Sequence, residues 1–237
     1  MRALLCLPTY DERENLEPML RTLGEVLGPD DRVLVIDDNS PDGTGELADR
    51  LAAELPFVDV LHRKRKDGLG RAYIDGFKVA LERGAQLVLE MDCDFSHDPQ
   101  DVPRLIAAAS EADVVLGSRY VPGGGVRDWG LARRLISRAA SLYTRLLLMP
   151  VHDSTGGFKC FRREVLERLD LDAITSRGYM FQIETTFRAR RLGFRVVEIP
   201  ITFADREVGG SKMSRAIVAE AIWRVPALRL AALRGNV

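Results

Sequence analysis

The chain has 237 residues, 46% hydrophobic and 29% charged, enough to close a globular core in one large domain or two small ones. With 34 basic and 35 acidic residues the formal net charge is -1, so bulk electrostatics gives no reason to expect a nucleic-acid partner. Three cysteines, Cys6, Cys93 and Cys160, are odd in number and unclustered, which argues against a disulfide scaffold and for reduced, buried thiols in a cytoplasmic protein. The first apolar run stops at Pro8, too short for a signal peptide, and no window reaches the roughly 18 charge-free apolar residues of a membrane span. The expectation is a protein that is soluble or lies on a membrane surface.

Over the first half, strand-like apolar runs alternate with helical patterns. Ala3–Leu7 reads as a strand and Glu14–Leu27 as a helix. Val33–Ile36 is followed by a helix over Thr44–Leu55, and Val58–Leu61 by one over Gly70–Arg83. Leu87–Met91, a helix over Asp101–Ala109 and Val114–Leu116 complete the series. This alternation predicts an α/β fold with a mainly parallel sheet covered on both faces. The second half opens on a flexible stretch, Val121–Val126, and a long helical pattern, Leu131–Met149, rich in arginine. The polar turn Asp153–Gly157, the strand-like Phe158–Phe161, a helix over Phe181–Leu192, a strand over Val196–Ile199 and a polar loop over Asp205–Met213 follow. We expect one domain over residues 1–212, with a nucleotide half (about 1–118) and an acceptor half (about 119–212), then an amphipathic helix over 213–237. Apolar residues at helical spacing, Trp223 and interspersed arginines fit that helix equally to packing on the core or to lying in a membrane interface.

The chemistry concentrates at predicted strand ends, where ligands bind in open α/β sheets. Asp92 and Asp94 follow Leu87–Met91, and paired hard oxygen ligands there suit Mg²⁺ or Mn²⁺ bridging to a diphosphate. Asp37 and Asp38 end the second run; Pro8, Thr9, Tyr10, Asp11, Glu12 and Asn15 end the first, and together they can form a base-and-ribose pocket. Lys66–Ala72 opens a helix whose N-terminus favours anions, although an ordinary turn explains it as well. Arg119, with Arg133 and Ser137, can receive a phosphate; for Arg138 and Arg145 a solvated helix face is the expectation. Arg206 and Lys212 stand on a glycine-containing loop of the kind that closes over ligands. His97, three residues after Asp94, could coordinate metal or bond a phosphate. There is no nucleophile elbow, no Walker loop and no zinc-type Cys/His spacing.

In order along the chain, Leu7–Leu16, Val35–Thr44, Gly68–Tyr73, Met91–His97, Gly117–Tyr120, Asp153–Phe158, Gly178–Glu184 and Ile199–Phe203 running to Ser211–Lys212 form a set. The set resembles the family 2 glycosyltransferases, and within them the dolichyl-phosphate (polyprenyl-phosphate) mannosyltransferases. The resemblance implies a GT-A fold and inverting, metal-dependent transfer of mannose from GDP-mannose to a polyprenyl phosphate. It implies that Asp92 and Asp94 hold Mg²⁺ or Mn²⁺, and that Ser96 replaces the glutamine ligand of some relatives. Pro8, Tyr10, Glu12, Asp37 and Asp67 would line the guanosine site, and Arg206 and Lys212 would clamp the donor phosphates. Arg119, Arg133 and Ser137 would hold the acceptor phosphate; Asp94, Arg119, Arg206 and Lys212 form the catalytic set. Glu184 is expected to be structural or to bond the sugar. Relatives often add C-terminal transmembrane helices, so this chain is expected to work as a peripheral protein on the cytoplasmic face, by its last helix or a membrane-anchoring partner. A UDP-glucose-dependent polyprenyl-phosphate glucosyltransferase and a silent nucleotide-sugar-binding module remain the alternatives.

Overall fold

The structure, a computed structural model, describes residues 2–205 and 215–234, with side chains of the last helix described from Trp223 on. The first half delivers the expected alternation: β1 (Ala3–Thr9), α1 (Arg13–Val26), β2 (Arg32–Asp37), α2 (Thr44–Glu54), β3 (Val58–His62), α3 (Leu69–Glu82) and β4 (Leu87–Glu90). A 3₁₀ turn (Pro99–Asp101), in which the Asp98 side chain accepts the Gln100 N–H, leads into α4 (Val102–Ala108) and β5 (Val114–Ser118). The second half adds β6 (Gly125–Val126), α5 (Leu131–Leu147), β7 (Lys159–Arg162), α6 (Arg163–Arg168), α7 (Gly178–Arg191), β8 (Val196–Pro200), β9 (Thr202–Phe203) and α8 (Arg215–Leu233). The short α6 was not foreseen.

Seven strands form one sheet in the order β3-β2-β1-β4-β7-β5-β8, all parallel except β7, which runs antiparallel between β4 and β5. The acceptor half is therefore not a separate layer: β7 and β8 complete the sheet that the nucleotide half begins. Strands buried on both faces read as unbroken apolar runs, and β1 buries Leu4, Leu5, Cys6 and Leu7. One core joins Leu4, Cys6, Leu34 and Ile36 to α3 and α7; the other joins Leu5, Leu7, Val33 and Val35 to α1, α2 and α4. On α3, Gly76 sets the helix-to-sheet distance: a Cβ there would meet Ile36 Cδ1 at 2.5 Å and Cys6 Sγ at 2.9 Å. All three cysteines are buried and outside disulfides, as expected.

Two helices depart from the usual pattern. α5 buries Ser137, Ser141 and Thr144 and turns Leu131, Leu135, Ile136, Leu142 and Leu146 outward, the reverse of an ordinary surface helix. α8 spans Arg215–Leu233 within the expected 213–237 and packs Val225, Leu228 and Ala232 into the core while leaving Trp223, Leu230 and Leu233 exposed. It thus serves the core as an ordinary terminal helix does and still shows an apolar side. Val218 and Ile222, apolar positions of the same helix, lie outside the described side chains. Among the described residues no helix is long and apolar enough to cross a membrane.

Candidate active site

Sheet order places the ends of β2, β1 and β4 side by side, with Thr9 level with Asp37 and Cys6 with Glu90. Asp37 accepts the Ser40 N–H and hydroxyl, the latter at 2.6 Å, and Asp38 pairs with Arg63, whose Nε also meets Asp75 at 2.8 Å. Each of these strand exits carries a non-glycine residue in the left-handed region: Asp11 (φ 58°), Asn39 (φ 59°) and Phe95 (φ 57°). Such backbone persists where the surrounding structure over-determines it, and here it recurs at the exits of three neighbouring strands. Tyr10 lies under the Lys66 ammonium, 3.4 Å from the ring centroid, and Glu12 accepts Asn15 Nδ2 at 2.8 Å. Glu12 also lies close enough to Cys93, with burial the larger cause, to help keep that thiol protonated. Asp67 lines a cavity of about 350 Å³ together with His62, whose Nδ1 stands 3.7 Å from Asp37 Oδ2. Pro8, Tyr10 and Glu12 thus sit at or just past the end of β1, next to Asp37 at the end of β2, and His62 links Asp37 to the cavity that Asp67 lines.

At the end of β4, Asp94 is buried and its Oδ1 accepts both the Ser96 N–H (3.1 Å) and hydroxyl (2.5 Å). The Asp92 carboxylate receives the Tyr73 hydroxyl at 3.4 Å from α3. Among the described residues no three His, Cys, Asp or Glu side chains cluster, and Asp92 and Asp94 are the two carboxylates just past β4. That donor set fits Mg²⁺ or Mn²⁺, which leave coordination positions to water and substrate phosphate oxygens. The His97 ring sits 5.0 Å from that of Phe158 and 5.1 Å from that of Phe203, and its Nδ1 accepts the Asp92 amide at 3.4 Å. It shapes the loop from below. Deeper still, Glu90 faces Lys159 across the β4–β7 ladder. Burial pushes Glu90 up to about 7 against the pull of Lys159, and pushes Lys159 down to about 8. The Lys159 ammonium donates to the Gln182 carbonyl at 2.7 Å and to Thr185 Oγ1 at 3.3 Å.

The acceptor-side residues also converge. Arg119, just after β5, makes a bidentate pair with Asp153 through Nε (2.7 Å) and Nη2 (2.6 Å), and Nη2 also reaches Thr155. Burial alone would raise the Asp153 carboxyl, but the guanidinium outweighs it and holds the group below its ordinary range. Arg133 lies over the Trp129 ring at 4.1 Å, with its Nη1 on Asp205 at 2.7 Å. Ser137 accepts the Tyr120 hydroxyl at 2.6 Å. Phe203 packs against both His97 and Trp129 and lies 5.4 Å from the Arg119 guanidinium, so the metal-side loop and the acceptor side are neighbours. Arg206 and Lys212 lie outside the described residues. Glu184 is structural: it is held by Ser176 and by Arg188 Nε at 2.7 Å. Arg138 and Arg145 are exposed, as expected for a solvated face, and both also line an open cavity with Arg119. Sequence reasoning missed Tyr73, Trp129 and Glu198. Glu198 receives the N–H groups of His152 and Asp153, each at 2.8 Å, and so fixes the loop that carries the Arg119 partner.

The chain is 52% identical over 233 residues to an undecaprenyl-phosphate mannosyltransferase from Micrococcus luteus, covering 98% of this chain and 96% of that one. It is 50% identical over 227 residues to a polyprenol monophosphomannose synthase from Mycolicibacterium smegmatis, covering 94% and 85%. Among solved structures, glucosyl-3-phosphoglycerate synthase from Mycobacterium tuberculosis, with Mn²⁺, UDP and its product, superposes with a TM-score of 0.68 at 19% identity, over 97% of this chain and 79% of that one. The mannosyltransferase PcManGT from Pyrobaculum calidifontis, with GDP-Man and Mn²⁺, gives 0.62 at 20% identity, over 98% and 64%. These likenesses establish the GT-A fold. The model of the family described as Glycosyl transferase family 2 matches residues 5–170. With this family match over most of the chain and near-complete relatives at half identity, the chain belongs to glycosyltransferase family 2.

Proposed function

We propose that this polyprenyl-phosphate mannosyltransferase takes mannose from GDP-mannose and inverts the anomeric carbon as it transfers the sugar to the lipid phosphate. The observation that carries the reading is the continuity of the site: Asp92 and Asp94 on one side meet Arg119, Arg133 and Ser137 on the other through His97, Phe203 and Trp129. The nucleophile is a phosphate oxygen, already largely anionic near neutrality because the second pKa of a phosphate monoester is about 6. No general base is required, in keeping with a Glu184 engaged by Ser176 and Arg188. What the protein supplies is alignment and charge. Ser96 and Tyr73 orient the two aspartates; Arg206 and Lys212 are assigned the donor phosphates. Arg133 exchanges Asp205 for an acceptor oxygen, while Asp153 keeps Arg119 in place. Asp92 and Asp94 would hold a divalent cation, Mg²⁺ or Mn²⁺, which would supply positive charge against the departing diphosphate. Because its acceptor is a lipid, the protein works peripherally at the cytoplasmic face of a membrane, alone or on an anchoring partner.

Incubation with Mg²⁺ or Mn²⁺, a polyprenyl phosphate and either GDP-mannose or UDP-glucose tests the reading. Glycosylated lipid from GDP-mannose alone is expected; product only from UDP-glucose overturns the donor. Asp94→Asn should lower turnover at least about a hundredfold with an unchanged melting temperature. Activity near wild type would remove the carboxylate from the metal site.

A further inference from the structure

Between α5 and the segment after β5 lies a cavity of about 460 Å³ lined by Arg119, Arg138, Ser141, Leu142, Arg145 and His152, among others, with no acidic side chain. Arg138 and Arg145 are seven residues apart and share a helix face, with Ser141 between them, and α5 contains no Asp or Glu along its length. Ser141 is 3% exposed, and its hydroxyl has no hydrogen-bond partner. A buried hydroxyl left in that state is unfavourable unless something meets it. Arginine forks and a serine hydroxyl are donors suited to phosphate oxygens. Leu142, on the cavity wall, belongs to the outward apolar face that α5 shares among Leu131, Leu135 and Leu146. A ligand that joins an anionic head to a long apolar chain would match both features at once.

We propose that this cavity captures the phosphate head of the lipid acceptor, a phosphomonoester, through Arg138, Ser141 and Arg145, with its hydrocarbon leaving past Leu142 along the outer face of α5. The site adds to the set of Arg119, Arg133 and Ser137. Arg119 belongs to both, so it can pass the head from capture to reaction; its Nε and Nη2 bind Asp153, and Nη1 is the donor that pair does not use. The proposal rests on the mannosyl-transfer reading for the identity of the ligand.

The test uses the whole chain with Mn²⁺, GDP-mannose and polyprenyl phosphate in phosphatidylcholine vesicles. Arg138→Gln/Arg145→Gln should raise the acceptor KM about tenfold or more, and Ser141→Ala about threefold, with donor KM and kcat at saturating acceptor unchanged. Because the arginines are exposed and the serine hydroxyl is unpartnered, melting temperatures should stay at the wild-type value. An acceptor KM within twofold of wild type in the double variant overturns the proposal. Co-sedimentation reads the site without turnover. Vesicles doped with polyprenyl phosphate should retain the wild type better than vesicles doped with phosphatidylglycerol, a phosphodiester, and the double variant should lose that difference. Equal retention by both lipids in the wild type, or a preference that survives the substitutions, overturns it as well. A wild type that prefers the polyprenyl phosphate vesicles yet makes no mannosyl lipid would fault the transfer reading and leave the capture site standing.

Discussion

Arg119 and Asp153 are both almost fully buried, so each is tolerable only because the other is present. Asp153→Asn should cost about 3–5 kcal/mol, read as a lowered urea midpoint, by leaving a guanidinium without its countercharge. Because the native Asp153 carboxyl titrates below its ordinary range, its contribution is present above the unfolded value of about 4 and disappears as pH falls through the native one. The wild type should therefore lose stability on acidification more steeply than the Asn variant. His62 has the opposite sign. Its hydrogen bond to Asp49, with Asp37 adding to it against partial burial, raises its pKa. That stabilisation is complete below about 6.5 and fades as pH rises through the native value. Melting curves from about pH 6 to 8 should show the dependence in wild type and lose it in His62→Gln. Asp92 and Asp94 were legible in the sequence because their pattern is local and follows an apolar run. Tyr73, Asp153 and Glu198 were not legible as partners: they act on residues 19, 34 and 46 positions away, and only the sheet brings them there.

For whole elements, periodicity revealed that α5 is a helix but not which way it faces, since a 3.6-residue repeat is the same whether its apolar side points in or out. Direction comes from what surrounds it, here Tyr120 on Ser137 and Ser154 on Thr144. The antiparallel course of β7 was hidden for a similar reason: a buried run reads alike in either direction, and α6 is too short to show a period. The distinction between the two kinds of helix surface can be measured. Leu135→Gln should change stability by less than about 0.5 kcal/mol, because the side chain already faces solvent. Gly76→Ala should cost about 1–3 kcal/mol, because α3 must back away from Ile36 and Cys6 to admit one methyl group. Chemical denaturation of the two variants checks both values.

Across the molecule, strands from both halves share one sheet, so the nucleotide and acceptor halves expected from the sequence are not separate folding units. β4 and β5 do not touch without β7 between them. Calorimetry should show one cooperative transition whose van't Hoff and calorimetric enthalpies agree, whereas two transitions would restore a boundary near residue 118. The same topology gives the acceptor region a particular shape in the chain. It leaves the sheet after β5 and returns at β7, and the two crossing points are stapled by the Arg119–Asp153 pair and by the Gly117 N–H on the Phe158 carbonyl at 2.8 Å. Between these points run β6 and α5, which are also tied elsewhere: β6 pairs with β9, and Leu148, Met149 and Val151 join the core. A replacement for this excursion that keeps the β6–β9 pairing and the core positions of Leu148, Met149 and Val151 should leave the strands on either side in register. On the proposed assignment of acceptor contacts to this segment, a chimera that grafts another family member's segment between the two crossing points should change which phosphate receives the sugar while leaving donor KM unchanged.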